Sequence, residues 1–146
     1  MTPYKQKLKH RPDEGQIGDC WRTCIACLLN LLPEDVPHFC VDSWNDNARS
    51  TANARSYLAT KGLSFIEYAF TGDLQAILNS VGAINPGLHY LLGGNSKNGC
   101  GHQVVCCDDG IVWDPSIDDS GIVGPMDDGF YWITWLVPLF IKRGGS

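Results

Sequence analysis

An α+β domain is predicted, with helices first and an antiparallel sheet after them, and three features predict it. Trp21, Cys24, Ile25, Leu28, Leu29 and Leu32 follow a helical apolar period. Short runs rich in β-formers fill the second half, at His89 to Leu92, His102 to Cys107, Ile111 to Asp114 and Tyr131 to Ile141. Between two of these runs stands Asp108-Asp109-Gly110, the signature of a tight hairpin turn.

Each element follows in chain order. Residues 1–14 form an arm made basic by Lys5, Lys7, Lys9, His10 and Arg11, and it reads as solvated. A helix is predicted from about Cys20 to Leu32. Asp19 suits its N-cap because a carboxylate accepts from the first-turn N–H groups, and Pro33 stops it. A second helix spans about Asp46 to Lys61 and closes on Gly62. Leu63 to Phe70 is a strand, and Gly72-Asp73 opens a short helix over roughly Leu74 to Ser80. After the His89 strand, Gly93 to Gly101 is a glycine-rich loop, of which Gly93 to Cys100 is suited to gate a cleft. Pro115 ends the hairpin's return strand. One domain is expected over residues 15–142, with a flexible tail at 143–146.

Composition narrows the function. With 44% apolar and 18% charged residues the chain is an ordinary globular one, and its net charge of -5 argues against a nucleic-acid-binding surface. The N-terminal stretch has no apolar central run, so no signal peptide is read and a cytoplasmic location is expected. No apolar stretch is long enough for a bilayer span. Seven cysteines, an odd number, fit a reducing compartment better than a disulfide framework. Most read as small buried hydrophobes, Cys24 and Cys27 among them, with one nucleophile in the set.

Cys20 is that nucleophile. The thiolate is the reactive form, and a helix N-terminus stabilises negative charge. Gly18 and Asp19 precede it, so substrate can approach the backbone closely, and the Cys20 N–H is a free donor for a developing oxyanion. His102 begins a strand and Asp114 ends the next. With a turn near Asp109, facing residue numbers sum to roughly 217–218, which sets Asp114 within one or two positions of His102. A carboxylate there fixes the imidazole and supports its charged form. Gln16 offers a side-chain amide as second oxyanion donor, with Glu14 and Asp19 as competing polar groups. Trp113 and Trp132 are candidates to line the cleft, although core packing is the commoner fate of such residues. A zinc site drawn from Cys20, Cys24, Cys27, Cys100, His102, Cys106 and Cys107 is the metal alternative. Adjacent Cys106 and Cys107 point to opposite faces of a strand, so the expectation is no metal and no cofactor.

The run Gln16-Ile-Gly-Asp-Cys20-Trp-Arg-Thr-Cys-Ile-Ala-Cys-Leu-Leu resembles the nucleophile helix of papain-like cysteine peptidases, and is most similar to the bacteriocin leader-processing branch. Gly101-His102-Gln-Val-Val is similar to that branch's histidine strand, and Val112-Trp113-Asp114-Pro115-Ser116 to its Asp-Pro strand end. From about Gly15 to Ser120 the chain also resembles small phage-encoded proteins of this type. The resemblance implies a papain-like fold, a nucleophile helix packed on an antiparallel sheet. It also implies a Cys20–His102–Asp114 triad that acts through an acyl-thioester. One departure concerns the family glutamine, which lies six residues before the cysteine, where this chain has Glu14; Gln16 is four before. No transporter domain is read in these residues, so leader processing as such is not expected.

The expected function is therefore a cysteine-nucleophile hydrolase, a peptidase or an amidase/isopeptidase. Its partner would be a peptide or amide-containing substrate, a host protein if the chain is phage-encoded. The alternative is a catalytically silent or acyltransferase papain-like phage protein that binds and inhibits a host factor.

Overall fold

The computed structural model describes residues 1–140; the expected strand end at Ile141 and the tail at 143–146 lie outside the described residues. Three helices, α1 (Cys20–Leu29), α2 (Asn47–Thr60) and α3 (Leu74–Ile84), accompany five strands. The strands are β1 (Leu63–Phe70), β2 (His89–Asn95), β3 (Gly101–Cys107), β4 (Gly110–Trp113) and β5 (Tyr131–Pro138). They form one sheet in the order β1-β5-β2-β3-β4, and every neighbouring pair is antiparallel. The architecture is thus α+β. Among the described residues no helix is long and apolar enough to cross a membrane.

Alternation along the strands gives the sheet two apolar faces. Phe65, Leu91 and Val105 face a core with Cys24, Ile25 and Cys27 of α1 and Ala54 and Leu58 of α2. Tyr90, Leu92, Val104, Cys106 and Ile133 face the other way, against Ile77, Leu78 and Val81 of α3. Both faces are covered, which is why β2 and β3 read as unbroken apolar runs rather than alternating ones.

Several boundaries differ from expectation. Helix α1 ends at Leu29 instead of Leu32, because Asn30 adopts the left-handed conformation (φ 56°) and turns its N–H back onto Ala26 and Cys27 carbonyls. Pro33 instead opens a 3-10 turn over Pro33–Asp35. Helix α3 runs on past Ser80 to Ile84. Strand β2 runs through Gly93 and Gly94 to Asn95, so much of the expected glycine loop is sheet. The glycines there serve close approach: a β-carbon on Gly94 would sit 2.6 Å from Ile122 Cγ2 and 2.7 Å from the Gly124 carbonyl oxygen. The segment is pinned, and the expected gate shrinks to residues 96–100.

The basic arm is docked on the domain, although Lys5, Lys7 and Arg11 stay exposed. Thr2 N donates to the Cys27 carbonyl, Gln6 N to that of Pro115, and Leu8 N to the Asp19 carboxylate at 2.9 Å. Lys5 Nζ reaches the carbonyls of Asp114 (3.0 Å) and Ser116 (2.8 Å) and the Asp119 carboxylate, and lies 4.8 Å from the Trp113 ring centre. Its lysines read as a solvated charge run in sequence because their partners are distant in the chain: Asp119 for Lys5, Glu34 for Lys7 and Asp118 for Lys9.

Helix α3 is seated on the β3–β4 turn through Gly82, where any β-carbon would overlap the Asp108 carbonyl. That same carbonyl accepts the Tyr90 hydroxyl at 2.8 Å, so it has little room to move. Gly82→Ala is expected to cost about 2 kcal/mol despite the better helix propensity of alanine, as overpacking of a fixed contact does. Thermal unfolding should show a Tm lower by about 5 °C, and an unchanged or raised Tm would contradict this packing.

Candidate active site

Cys20 is the first residue of α1, half-buried, and opens onto a cavity of about 470 Å³. Asp19 stands at the N-cap position but makes no side-chain bond to the helix amides. Its carboxylate, fully buried, takes the Leu8 N–H and the Arg22 guanidinium at 3.1 Å instead. The expected capping role of Asp19 is thereby replaced by a strut that ties the arm to the first turn. The turn keeps its order through Thr23, whose hydroxyl donates to the Asp19 carbonyl at 2.8 Å.

His102 enters the same cavity from β3 and is buried. Its Nε2 lies 2.7 Å from Asp114 Oδ1, which leaves Nδ1 for the sulfur side. The hairpin register sits close to the arithmetic read from sequence: Val105 pairs with Trp113, Cys106 with Ile111 and Cys107 with Gly110, with an irregularity between Val105 and Cys106. Asp114 follows directly on Trp113, the end of β4 farthest from the turn. Its carboxylate also accepts from Ser116 N at 2.9 Å and Gly121 N at 2.8 Å, so both oxygens are fixed.

The electrostatics follow from these contacts. Burial alone would lower His102, but the bond to Asp114 and the hydrogen bonding and charge of the Cys20 sulfur outweigh it and raise it to about 9. Burial would raise Asp114, and the imidazole together with the Ser116 and Gly121 amides holds it far below the usual carboxylate range. Cys20, His102 and Asp114 are thus brought together, with the carboxylate stabilising positive charge on the ring and the ring beside the sulfur.

Gln16 is not brought into this group. Its Nε2 donates to the Lys9 carbonyl at 2.8 Å, its backbone pairs with Arg11, and it is not part of the cavity wall. Two other side-chain amides line the cavity: Asn98, whose Nδ2 donates to the Asp118 carboxylate at 3.1 Å, and Gln6, buried, with Nε2 on the Leu8 carbonyl at 2.6 Å and Oε1 without a partner. Gln6 was not legible because it lies in the arm, and only the arm's docking through the Gln6 N to Pro115 O bond carries it to the site. Trp113 faces elsewhere, its indole donating to the Tyr4 carbonyl at 2.7 Å against the α1 core. Trp132 does line a cavity, though a neighbouring one.

All seven cysteines are free thiols. Burial pushes Cys24, Cys27 and Cys40 up, and Cys106 up to about 12. Among the described residues no three His, Cys, Asp or Glu side chains gather as a metal site would need. No protein-family model, no curated protein and no solved structure matches the chain.

Proposed function

We propose that the protein is a papain-like cysteine-nucleophile enzyme, acting on a peptide or on another amide or isopeptide bond. The observation that carries this reading is the contact set at the start of α1. A cysteine at a helix N-terminus lies beside a buried histidine, and a doubly bonded aspartate holds that histidine at 2.7 Å. In this reading His102 takes the Cys20 proton and the sulfur attacks the substrate carbonyl. The oxyanion is met by the Cys20 N–H at the helix start and, in place of Gln16, by the second N–H of the Gln6 amide. His102 then protonates the leaving amine, and water resolves the thioester; an amine acceptor would make the same site an acyltransferase.

The test is selective alkylation. Brief treatment with limiting iodoacetamide at pH 6.5, followed by intact mass and peptide mapping, should give a single fast adduct on Cys20. The buried thiols should lag, since desolvation disfavours their ionised form. Cys20→Ala should abolish the fast phase. A folded protein with no preferred adduct would overturn the nucleophile reading and favour a protein of this shape that acts by occupying a partner.

A further inference from the structure

A second cavity, about 340 Å³, adjoins the first, and Gly101 lines both. Cys20 lies in the wall of one and the next residue, Trp21, in the wall of the other. Strand pairing builds part of its floor. Trp132 of β5 pairs with Gly93 of β2, which pairs with Gln103 of β3, so one row crosses three strands. Glycine keeps that floor low: β-carbons on Gly93 and Gly101 would both stand 3.1 Å from the Met126 side chain. The indoles of Trp21, Trp44 and Trp132 line the space.

Three carboxylates, Glu67, Asp127 and Asp128, complete the lining, and none has an ion-pair partner among the described residues. Asp127 takes only the Asn95 amide; Asp128 takes Phe130 N and the Trp132 indole; Glu67 has the Thr134 hydroxyl at 3.5 Å. Arg55 acts on Glu67 by charge, yet donates to the Phe65 carbonyl and the Ser64 hydroxyl instead. Gln103 adds a buried carbonyl oxygen with no donor. The first cavity is mixed, with His10 and Arg11 along its edge and Lys9 paired to Asp118. Indole faces and unpaired carboxylates together match one kind of side chain: an aliphatic stem ending in a cation.

We propose that this second cavity is the specificity subsite of the Cys20 site, and that it takes the side chain of a lysine or arginine in a peptide substrate. The proposal rests on the reading of Cys20 as nucleophile, since only then is the adjoining groove a substrate channel.

The experiment titrates the Cys20→Ala protein with acetylated, amidated alanine pentapeptides bearing one central lysine, arginine, norleucine or glutamate. Binding is read from the fluorescence of the lining indoles. The lysine and arginine peptides should bind at least about tenfold tighter than the norleucine and glutamate peptides. Glu67→Gln should narrow that gap, and Asp127→Lys, at an exposed position, should move the preference toward glutamate. Equal affinity for the four peptides overturns the subsite. Wild-type alkylation by iodoacetamide, run in parallel, separates the two claims. Selective alkylation of Cys20 without a cationic preference sinks the subsite alone. A cationic preference without selective alkylation sinks its role in a reaction together with the nucleophile reading.

Discussion

Replacing Asp114 by alanine is expected to destabilise the fold by about 3 kcal/mol near pH 6, and by less near pH 10, where only the orphaned backbone amides still count. The carboxylate meets three donors at once, the His102 ring and the amides of Ser116 and Gly121. Alanine leaves a buried ring and two backbone N–H groups without acceptors, and such orphaned groups cost more than the bonds were worth net. The pH dependence has two limbs. His102 is raised above its ordinary 6.5 to about 9, so its contribution is complete below about pH 6.5 and is lost as pH rises through about 9. That rise alone corresponds to roughly 3 kcal/mol, shared between the aspartate and the sulfur. Asp114 is depressed, so its contribution is present above about pH 4 and is lost as pH falls further. Urea unfolding of wild type and variant at pH 6 and pH 10 checks this. Asp114→Asn, which keeps an acceptor but not the charge, should lose less, about 1 to 2 kcal/mol. A variant that loses under 1 kcal/mol at pH 6, or equally at both pH values, would show that the pair does not hold this corner together.

What the sequence made legible and what it hid divide along one line. Local signals were sufficient where neighbours in sequence decide the outcome. The β1 strand, the Asp46-capped α2 helix with Gly62 after it, and the Asp108 turn all lie where turn chemistry and periodicity put them. The His102–Asp114 approach was legible for the same reason: a hairpin converts a twelve-residue separation into a cross-strand neighbour. Contacts between distant segments were hidden. Nothing local marks Gln6 as a cavity residue, or Lys5 as a clamp on the Asp114 carbonyl, since both depend on the arm crossing the end of β4. Asp19 misled for a related reason. A carboxylate before a helix usually caps it, but the N–H of Leu8 and a guanidinium one turn on compete for it. The glycines at 93 and 94 signalled a loop, because a glycine needed for close approach looks the same in sequence as one needed for freedom.

Removing the imidazole should expose how much of the site's reactivity belongs to the pair rather than to the helix start. In His102→Ala, alkylation of Cys20 at pH 6.5 is expected to slow by about a hundredfold, since the imidazole that takes the proton and supports the thiolate is gone. The pH profiles should separate as well: a ring raised to about 9 keeps its positive charge beside the sulfur through the neutral range, so the wild-type advantage should persist there and fade above about pH 9. Asp114→Asn gives an intermediate case, because the bond to Asp114 is the leading influence holding the ring's charge against burial. A helix N-terminus acting alone predicts something different: equal rates and parallel profiles for wild type and His102→Ala. That outcome would leave Cys20 activated by backbone dipoles, with His102 and Asp114 serving to close the sheet edge.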